Sequence, residues 1–288
     1  MRQCISHDGD LYLLHTDNLS AFDRFVASVP LKGSVLAAIA TYWHKKAAPV
    51  MPSALISQPH ERILRQKHLK PVMAEVIVRA YLAGSMLREY QQGKRNFCGV
   101  ALPEGLKPFG PLPTPIVTPT SKAEQGEHDE NRSPEQLIEE GIVTEKEWAL
   151  LQSKSLELFQ LGTSVYGEKG WILVDTKYEF GKDADGNILL MDELHTPDSS
   201  RFWKVHSYQQ RLDQGQDPEM FDKEIIRRYL KEQGYFGEGS VPPVPSALLL
   251  QLLCSYLEVA EDLCEKELEF GKTLSVGDLI PILGLSHS

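Results

Sequence analysis

The stretch VDTKYEFG, residues 174–181, sets Asp175, Lys177 and Glu179 at every second position of a segment otherwise composed like a strand. Alternation is the period of a half-buried strand, so the three charges share one face while Thr176, Tyr178 and Phe180 take the other. Charges gathered on one face require compensation by counter-charges, a metal ion or a ligand.

The next turn suggests which. DADGN at 183–187 is a hairpin signal, and a two-residue turn centred on Asp185-Gly186 sets Ala184 opposite Asn187 and therefore Glu179 opposite Asp192. Directly opposed side chains have Cβ atoms ~4.5–5.5 Å apart. Two carboxylates at ~4 Å repel by about 4 kcal/mol at an effective dielectric of about 20. A divalent cation offsets that repulsion, and two carboxylates without a full oxygen cage suit Mg²⁺, which keeps waters and takes further ligands from substrate phosphates. Alternatively the hairpin lies at the surface with both carboxylates solvated, or a longer turn shifts the register; the hairpin alone leaves these open.

Immediately downstream, ELHTPDSSRFW gathers Asp198, Ser199, Ser200 and Arg201 behind Pro197. Hydrogen-bonding groups ending in a guanidinium suit bidentate recognition of phosphate or carboxylate. Taken alone, the same residues also describe a polar loop with a capping serine.

Several elements must position these groups. LYLL at 11–14 follows the turn HDGD and reads as a strand, GSVLAAIATYWHKKAA reads as a helix ended by Pro49, and the β-branched run VMAEVIVRAYLAG reads as a central strand turning at Gly84. Between Phe97 and Pro134, prolines, glycines and the polar block TSKAEQGEHDENRS predict a long loop without secondary structure, a type that is usually functional or disordered. Thr144 with Glu147 forms a capping-box pattern for a helix running to Gly167 and feeding WILVDTKYEFG. A charged helix around DKEIIRRYLKEQG and an amphipathic helix from Ser246 to Phe270 follow, with no internal repeats.

The chain has 288 residues, a formal charge of −10 and a pI of about 5.4, so it can bury a substantial core and carries no general basic field for nucleic acid or an anionic membrane. SALLLQLLCSYLEVAEDL, the most apolar long stretch, is interrupted by Gln251, Ser255, Glu258 and Glu261, and the start MRQCISHDGD has no apolar signal core. Cys4, Cys98, Cys254 and Cys264 are scattered without zinc-site spacing and read as reduced thiols. The expected compartment is the cytoplasm, and a monomer is the expected state.

Five motifs in order, TDNLSAFDRF, AEVIVRAYLAGS, TPTSKAEQGEHDEN, DTKYEFG and MDELHTPDSSRFW, closely resemble the phosphoribosylaminoimidazole-succinocarboxamide synthase (SAICAR synthetase) family in its longer form. The likeness runs from about residue 2 to about 230 and continues more weakly through FDKEIIRRYL and the terminal helix. It implies a two-lobe α+β fold, with a mainly antiparallel N-terminal nucleotide lobe over residues 1–73 and a larger substrate and metal lobe over 74–288, ATP lying in the cleft. It further implies an ATP-dependent ligase of purine biosynthesis that joins carboxyaminoimidazole ribonucleotide (CAIR) to L-aspartate, giving SAICAR, ADP and phosphate through an acyl phosphate, with Mg²⁺.

Carried over by motif, Glu179 and Asp192 are the metal carboxylates, Lys177 and Arg201 the catalytic cations, and Lys122 a second phosphate contact. Arg79 and Ser85, with Asp198, Ser199, Ser200 and Arg201, hold the ribonucleotide. Asp17, Ser20 and Asp23 form the floor of the site, and His128, Asp129 and Asn131 order the cleft or contact aspartate. Bland alternatives stand beside these: Arg79 paired with Glu75 or a neighbouring acid, Ser20 as a helix cap for AFDRF, and Lys32-Gly33 as turn plus helix start.

Members of this family usually begin with a strand, a glycine-containing loop of the GKVR kind and a second strand over the ATP phosphates. Here MRQCIS aligns Arg2 with that loop's arginine, which implies that upstream residues restore the loop or that ATP is bound weakly without it. Ala37 and Ala40 replace an Asn and a Ser common in the family, and TPTSKAE inverts its usual Ser-Thr order. A kinase-like phosphotransferase would use the same Glu/Asp and Mg²⁺ arrangement without consuming aspartate, and a silent paralogue would bind ribonucleotide and hydrolyse nothing.

Overall fold

The β-branched run forms β7 (Lys70–Tyr81), an interior strand of a five-stranded antiparallel sheet. The computed structural model describes residues 2–122, 130–264 and 274–283. By their contacts these fall into two compact units, one drawn from Met1–Lys45, Ala54–Leu69 and Phe221–Ser288, the other from Lys46–Ser53 and Lys70–Met220. The expected boundary at Met73 would cut β7 inside its hydrogen-bonded ladder. Beyond Phe221 the chain groups with the N-terminal segment, where the sequence reading placed it in the C-terminal lobe.

In the second unit, β7 is flanked by β10 (Pro111–Ser121) and β11 (Trp171–Lys182). The far edge of β11 is shared by two strands: β12 (Ile188–Met191) pairs with residues 179–182, and β13 (Ser200–Lys204) with residues 171–176. β10 corrects the expectation of a structureless loop from 97 to 134. Its prolines donate no hydrogen bond, which an edge strand tolerates, and the ladder breaks between Pro111 and Ile116, where they are densest. Leu112 and Ile116 of this strand pack with Leu82, with Met86, Leu87 and Tyr90 of α2 (Gly84–Gln91), and with Phe97 of the small hairpin β8 (Asn96–Phe97) and β9 (Val100–Ala101).

α3 (Pro134–Glu139) leads to α4 (Glu145–Glu168), whose expected capping box is formed: the Thr144 side chain accepts from the Glu147 N–H, and the Glu147 side chain accepts from the Thr144 N–H. α4 buries Leu151, Leu158, Phe159 and Tyr166 and packs on β11, β7 and β10. α5 (Val205–Asp213) follows β13.

The first unit holds a four-stranded antiparallel sheet in the order β1 (Arg2–His7), β2 (Asp10–His15), β6 (Ile63–Lys67), β5 (Leu55–His60). α1 (Lys32–Lys46) packs on it through Ala37 and Ala40, which meet Leu13 and Leu64. Both alanines are fully buried, so where the family commonly carries polar groups this chain has a small apolar contact. β3 (Asn18–Ala21) and β4 (Arg24–Ser28) form a separate hairpin, and α6 (Glu224–Glu232) packs against α7 (Ser246–Cys264), with α8 (Val276–Ile282) last. The expected extension of α7 to Phe270 lies outside the described residues. Among those residues no helix is long and apolar enough to cross a membrane.

Candidate active site

Three residues, Ala184, Asp185 and Gly186, close the β11–β12 turn, one more than the sequence predicts. Asp183 donates its N–H to the Asn187 carbonyl at 3.0 Å, and Gly186 takes φ +81°. The cause is local: the Asp183 carboxylate accepts from the backbone N–H groups of Asp185 at 3.0 Å and Asn187 at 2.8 Å, and from the Asn187 side chain at 3.0 Å. The register slips by one residue, so Glu179 faces Met191 and the expected opposition of Glu179 with Asp192 is absent. On the other edge of β11, however, Glu179 lies directly opposite Glu75 of β7. The like-charge conflict therefore exists between β11 and β7 instead of across the hairpin.

Lysines resolve it. Lys177 Nζ bonds Glu75 Oε1 at 2.5 Å and Glu179 Oε1 at 3.1 Å, while Lys122 bonds the second oxygen of Glu179. Burial works against the Lys177 charge, but Glu179, Glu75 and Asp192 outweigh it and hold the ammonium above its usual range. Lys177 is a fixed cation here and not a base.

At the other end of the same strand face, Asp175 Oδ2 receives two guanidinium groups, Arg201 and, at 3.6 Å, Arg79. Arg79 thus pairs with a neighbouring acid, as one expectation has it, and that acid is Asp175 and not Glu75; its Nε donates to Thr118 Oγ1 at 2.9 Å. Burial lowers its pKa, Asp175 opposes that effect, and the nearby Arg201 adds to it. Arg201 also lies against Gly84, where any Cβ would overlap its guanidinium, and Gly84 opens α2 at φ +59° with no side-chain cap from Ala83. Ser85 is in the first turn of that helix.

The edge of β11 explains how two distant motifs converge. Between β12, which ends beside Glu179, and β13, which starts beside Thr176, the chain makes an eight-residue excursion from Asp192 to Ser199 while only Lys177 and Tyr178 pass on β11. Lys177 donates its backbone N–H to the Ser199 carbonyl at 3.0 Å. Within the excursion Thr196 Oγ1 donates to Glu193 at 2.7 Å and accepts from the N–H groups of Asp198 and Ser199 at 3.3 Å. Ser200, expected to bind substrate, turns the other way: its hydroxyl meets Thr176 Oγ1 at 2.8 Å beneath the sheet.

The opposite face of β11, carrying Thr176, Tyr178 and Phe180, is buried and holds His195. Its ring is fully buried, with Nε2 hydrogen bonded to Tyr178 Oη at 2.6 Å, and burial pushes its pKa down to about 3. His195 is not among the residues the sequence points to, and Glu75 enters there only as a bland partner for Arg79, not as the partner of Lys177. Glu75 carried a signal, a carboxylate four residues from Arg79 in a β-branched run, which puts both on one strand face. The pairing of His195 with Tyr178 is purely tertiary.

Most of the remaining candidates lie in the first unit. Asp17 Oδ1 accepts from the Gly33 N–H at 3.0 Å and Oδ2 from Arg62 at 2.8 Å, anchoring the start of α1; a Cβ on Gly33 would strike the His15 carbonyl. Lys32-Gly33 is indeed a helix start. Ser20 caps no helix, because AFDRF is the β3–β4 turn, with Phe22 at φ +52° and Asp23 at +57°. Arg2 opens β1 opposite His15. Asn131 forms a bridge with Thr120 near Lys122, and His128 and Asp129 lie outside the described residues.

Comparison with known proteins accords with this arrangement. The model of the SAICAR synthetase family matches residues 2–242. A phosphoribosylaminoimidazole-succinocarboxamide synthase of Legionella pneumophila is 40% identical over 256 residues, covering 87% of this chain and 81% of that one. One of Bacteroides fragilis is 40% identical over 273 residues, covering 94% and 87%. The structure of SAICAR synthase from Saccharomyces cerevisiae, complexed with SAICAR, superposes with a TM-score of 0.80 at 30% identity, covering 93% of this chain and 94% of that one. The chain belongs to the SAICAR synthetase family, whose members are ATP-dependent ligases of purine biosynthesis joining CAIR to L-aspartate.

Proposed function

We propose that the charged face of β11 is where this ligase activates the ribonucleotide carboxylate. The supporting observation is that Lys177, a protonated cation among Glu75, Glu179 and Asp192, shares a strand face with the convergence of Arg79 and Arg201 on Asp175. Asp175 and Glu179 are four residues apart, about 13 Å along a strand, so an anion-binding end and a carboxylate end are presented to one extended ligand.

Arg201 beside the uncapped start of α2 is a cation at the positive end of a helix, an arrangement that an intervening anion relieves. Arg79, Arg201, Ser85 and Ser199 are assigned to the ribonucleotide phosphate and carboxylate, and Asp198 to its hydroxyl groups. Glu179 and Asp192 are assigned to Mg²⁺. Their hard oxygens suit it, and the remaining ligands would be water and phosphate oxygens. When bound, Mg²⁺ supplies charge neutralisation for the transferring phosphoryl group.

In the reaction a CAIR carboxylate oxygen attacks the γ-phosphorus of ATP, ADP leaves, and an acyl phosphate forms. The aspartate amine then attacks the acyl carbon, the bond to phosphate breaks, and the amine proton is lost. Lys177 and Lys122 exchange Glu75 and Glu179 for phosphate and carboxylate oxygens, orienting the reactants and offsetting their charge. Arg2 is assigned to the nucleotide, His128, Asp129 and Asn131 to aspartate, and the setting to the cytoplasm. Glu179→Gln should abolish Mg²⁺-dependent ADP release while ribonucleotide binding, followed by calorimetry, persists; full activity in that variant would sink the metal assignment.

A further inference from the structure

The excursion from Asp192 to Ser199 carries an assigned metal ligand at one end and assigned ribonucleotide contacts at the other. Eight residues fill a gap of two on the β11 edge, so strand pairing alone does not define their path. Asp192 and His195 both adopt left-handed backbone, at φ +67° and +51°, a conformation that is uncommon for residues other than glycine and persists where surroundings enforce it. Yet Leu194, His195 and Thr196 are fully buried, so the middle of this loop is its most enclosed part.

His195 is held from three sides. Its Nε2 meets Tyr178 Oη at 2.6 Å, its carbonyl accepts from Tyr166 Oη at 2.8 Å, and its ring lies against Gly162 of α4. A Cβ at Gly162 would come within 2.7 Å of Nδ1, which gives a reason for a glycine inside a helix where alanine has the higher propensity. Tyr178 lies on β11 between Lys177 and Glu179, and its hydroxyl reaches His195 beneath the face on which those two act.

We propose that His195 is a positioning residue: seated on Tyr178, Tyr166 and Gly162, it pins the 192–199 excursion so that Asp192 and Ser199 keep their places beside Lys177. This rests on the site assignment above. His195 touches no substrate; it acts through the loop and through Tyr178. Its loss should loosen metal and ribonucleotide binding more than it slows the chemical step.

The test uses His195→Asn, because asparagine tolerates left-handed backbone, and Tyr178→Phe, which removes only the hydroxyl. Both are assayed in the full chain at a temperature where each is folded, titrating Mg²⁺ and CAIR. A comparably destabilised control is Leu151→Ala, a fully buried residue of α4 outside this network. Expected is a five- to tenfold rise in half-saturating Mg²⁺ and in KM for CAIR in His195→Asn, a smaller rise in Tyr178→Phe, and a double variant no worse than His195→Asn, since the two act as one unit. The control should keep wild-type values for both.

Wild-type Mg²⁺ and CAIR dependence in folded His195→Asn or Tyr178→Phe, or an equal shift in Leu151→Ala, would overturn the proposal. If His195→Asn does not fold, Tyr178→Phe decides alone. Glu179→Gln assayed in parallel separates the levels: full turnover there removes the site assignment itself, whereas a dead Glu179→Gln beside unshifted Tyr178→Phe removes only the pin.

Discussion

Asp17 and Asp175 are both carboxylates bound to arginine, and they differ in what that bond is for. Asp17 divides its oxygens between the Gly33 N–H and Arg62, and Arg62 in turn donates to Ser34, so the cluster closes on the backbone at the start of α1. Asp175 offers one oxygen to two guanidinium groups, and along the same strand two lysines hold Glu75 and Glu179, which would otherwise repel. The first arrangement fixes a chain segment. In the proposed function the second holds cations on partners they exchange for ligand anions, and buried ion pairs of that kind contribute little net stability because desolvation offsets the attraction.

The distinction predicts different readouts. Lys177→Met should cause the largest effect, a fall in kcat of about 10³-fold, as expected for loss of a cation facing developing charge; it is checked by single-turnover ADP formation. Arg201→Lys should keep the charge and lose the planar fork, raising KM for CAIR by about 10- to 100-fold with a smaller change in kcat. Steady-state kinetics decide this, and an unchanged KM would remove Arg201 from substrate recognition. In the other cluster, Arg62→Met should appear as stability: about 1–3 kcal/mol lost in urea unfolding, with KM for CAIR within about twofold of wild type. A kinetic defect larger than the stability defect would erase the contrast between the two clusters.

The smallest effect concerns pH. His195 is held near pKa 3 when folded, against 6.5 for the free group, so the unfolded chain binds the extra proton. Its contribution to stability is complete above about pH 6.5 and is lost as pH falls toward 3, with a slope of up to about 1.4 kcal/mol per pH unit. Urea midpoints at pH 7, 6 and 5 should converge between wild type and His195→Asn as the pH falls; parallel curves would contradict the buried, neutral ring.

Much of this was legible in the chain. The alternation of Asp175, Lys177 and Glu179, the capping box at Thr144 and the β-branched run of β7 are local signals, and each appears in the fold. Register was not legible, because the three-residue turn depends on how the Asp183 side chain closes it. β10 was hidden because proline is read as a loop signal unless the strand is known to lie at an edge. The contacts of Glu75 with Lys177 and of His195 with Tyr178 escaped for a related reason: strand pairing and core packing, not spacing, bring these residues together.

The most direct test of the central claim is ADP release by the full chain with ATP and CAIR, titrated with Mg²⁺, with and without L-aspartate, for wild type and Glu179→Gln. The account predicts aspartate-dependent release in wild type, saturable in Mg²⁺, and its loss in Glu179→Gln with CAIR binding retained. Aspartate-independent release in wild type, or full release in the variant, would contradict it.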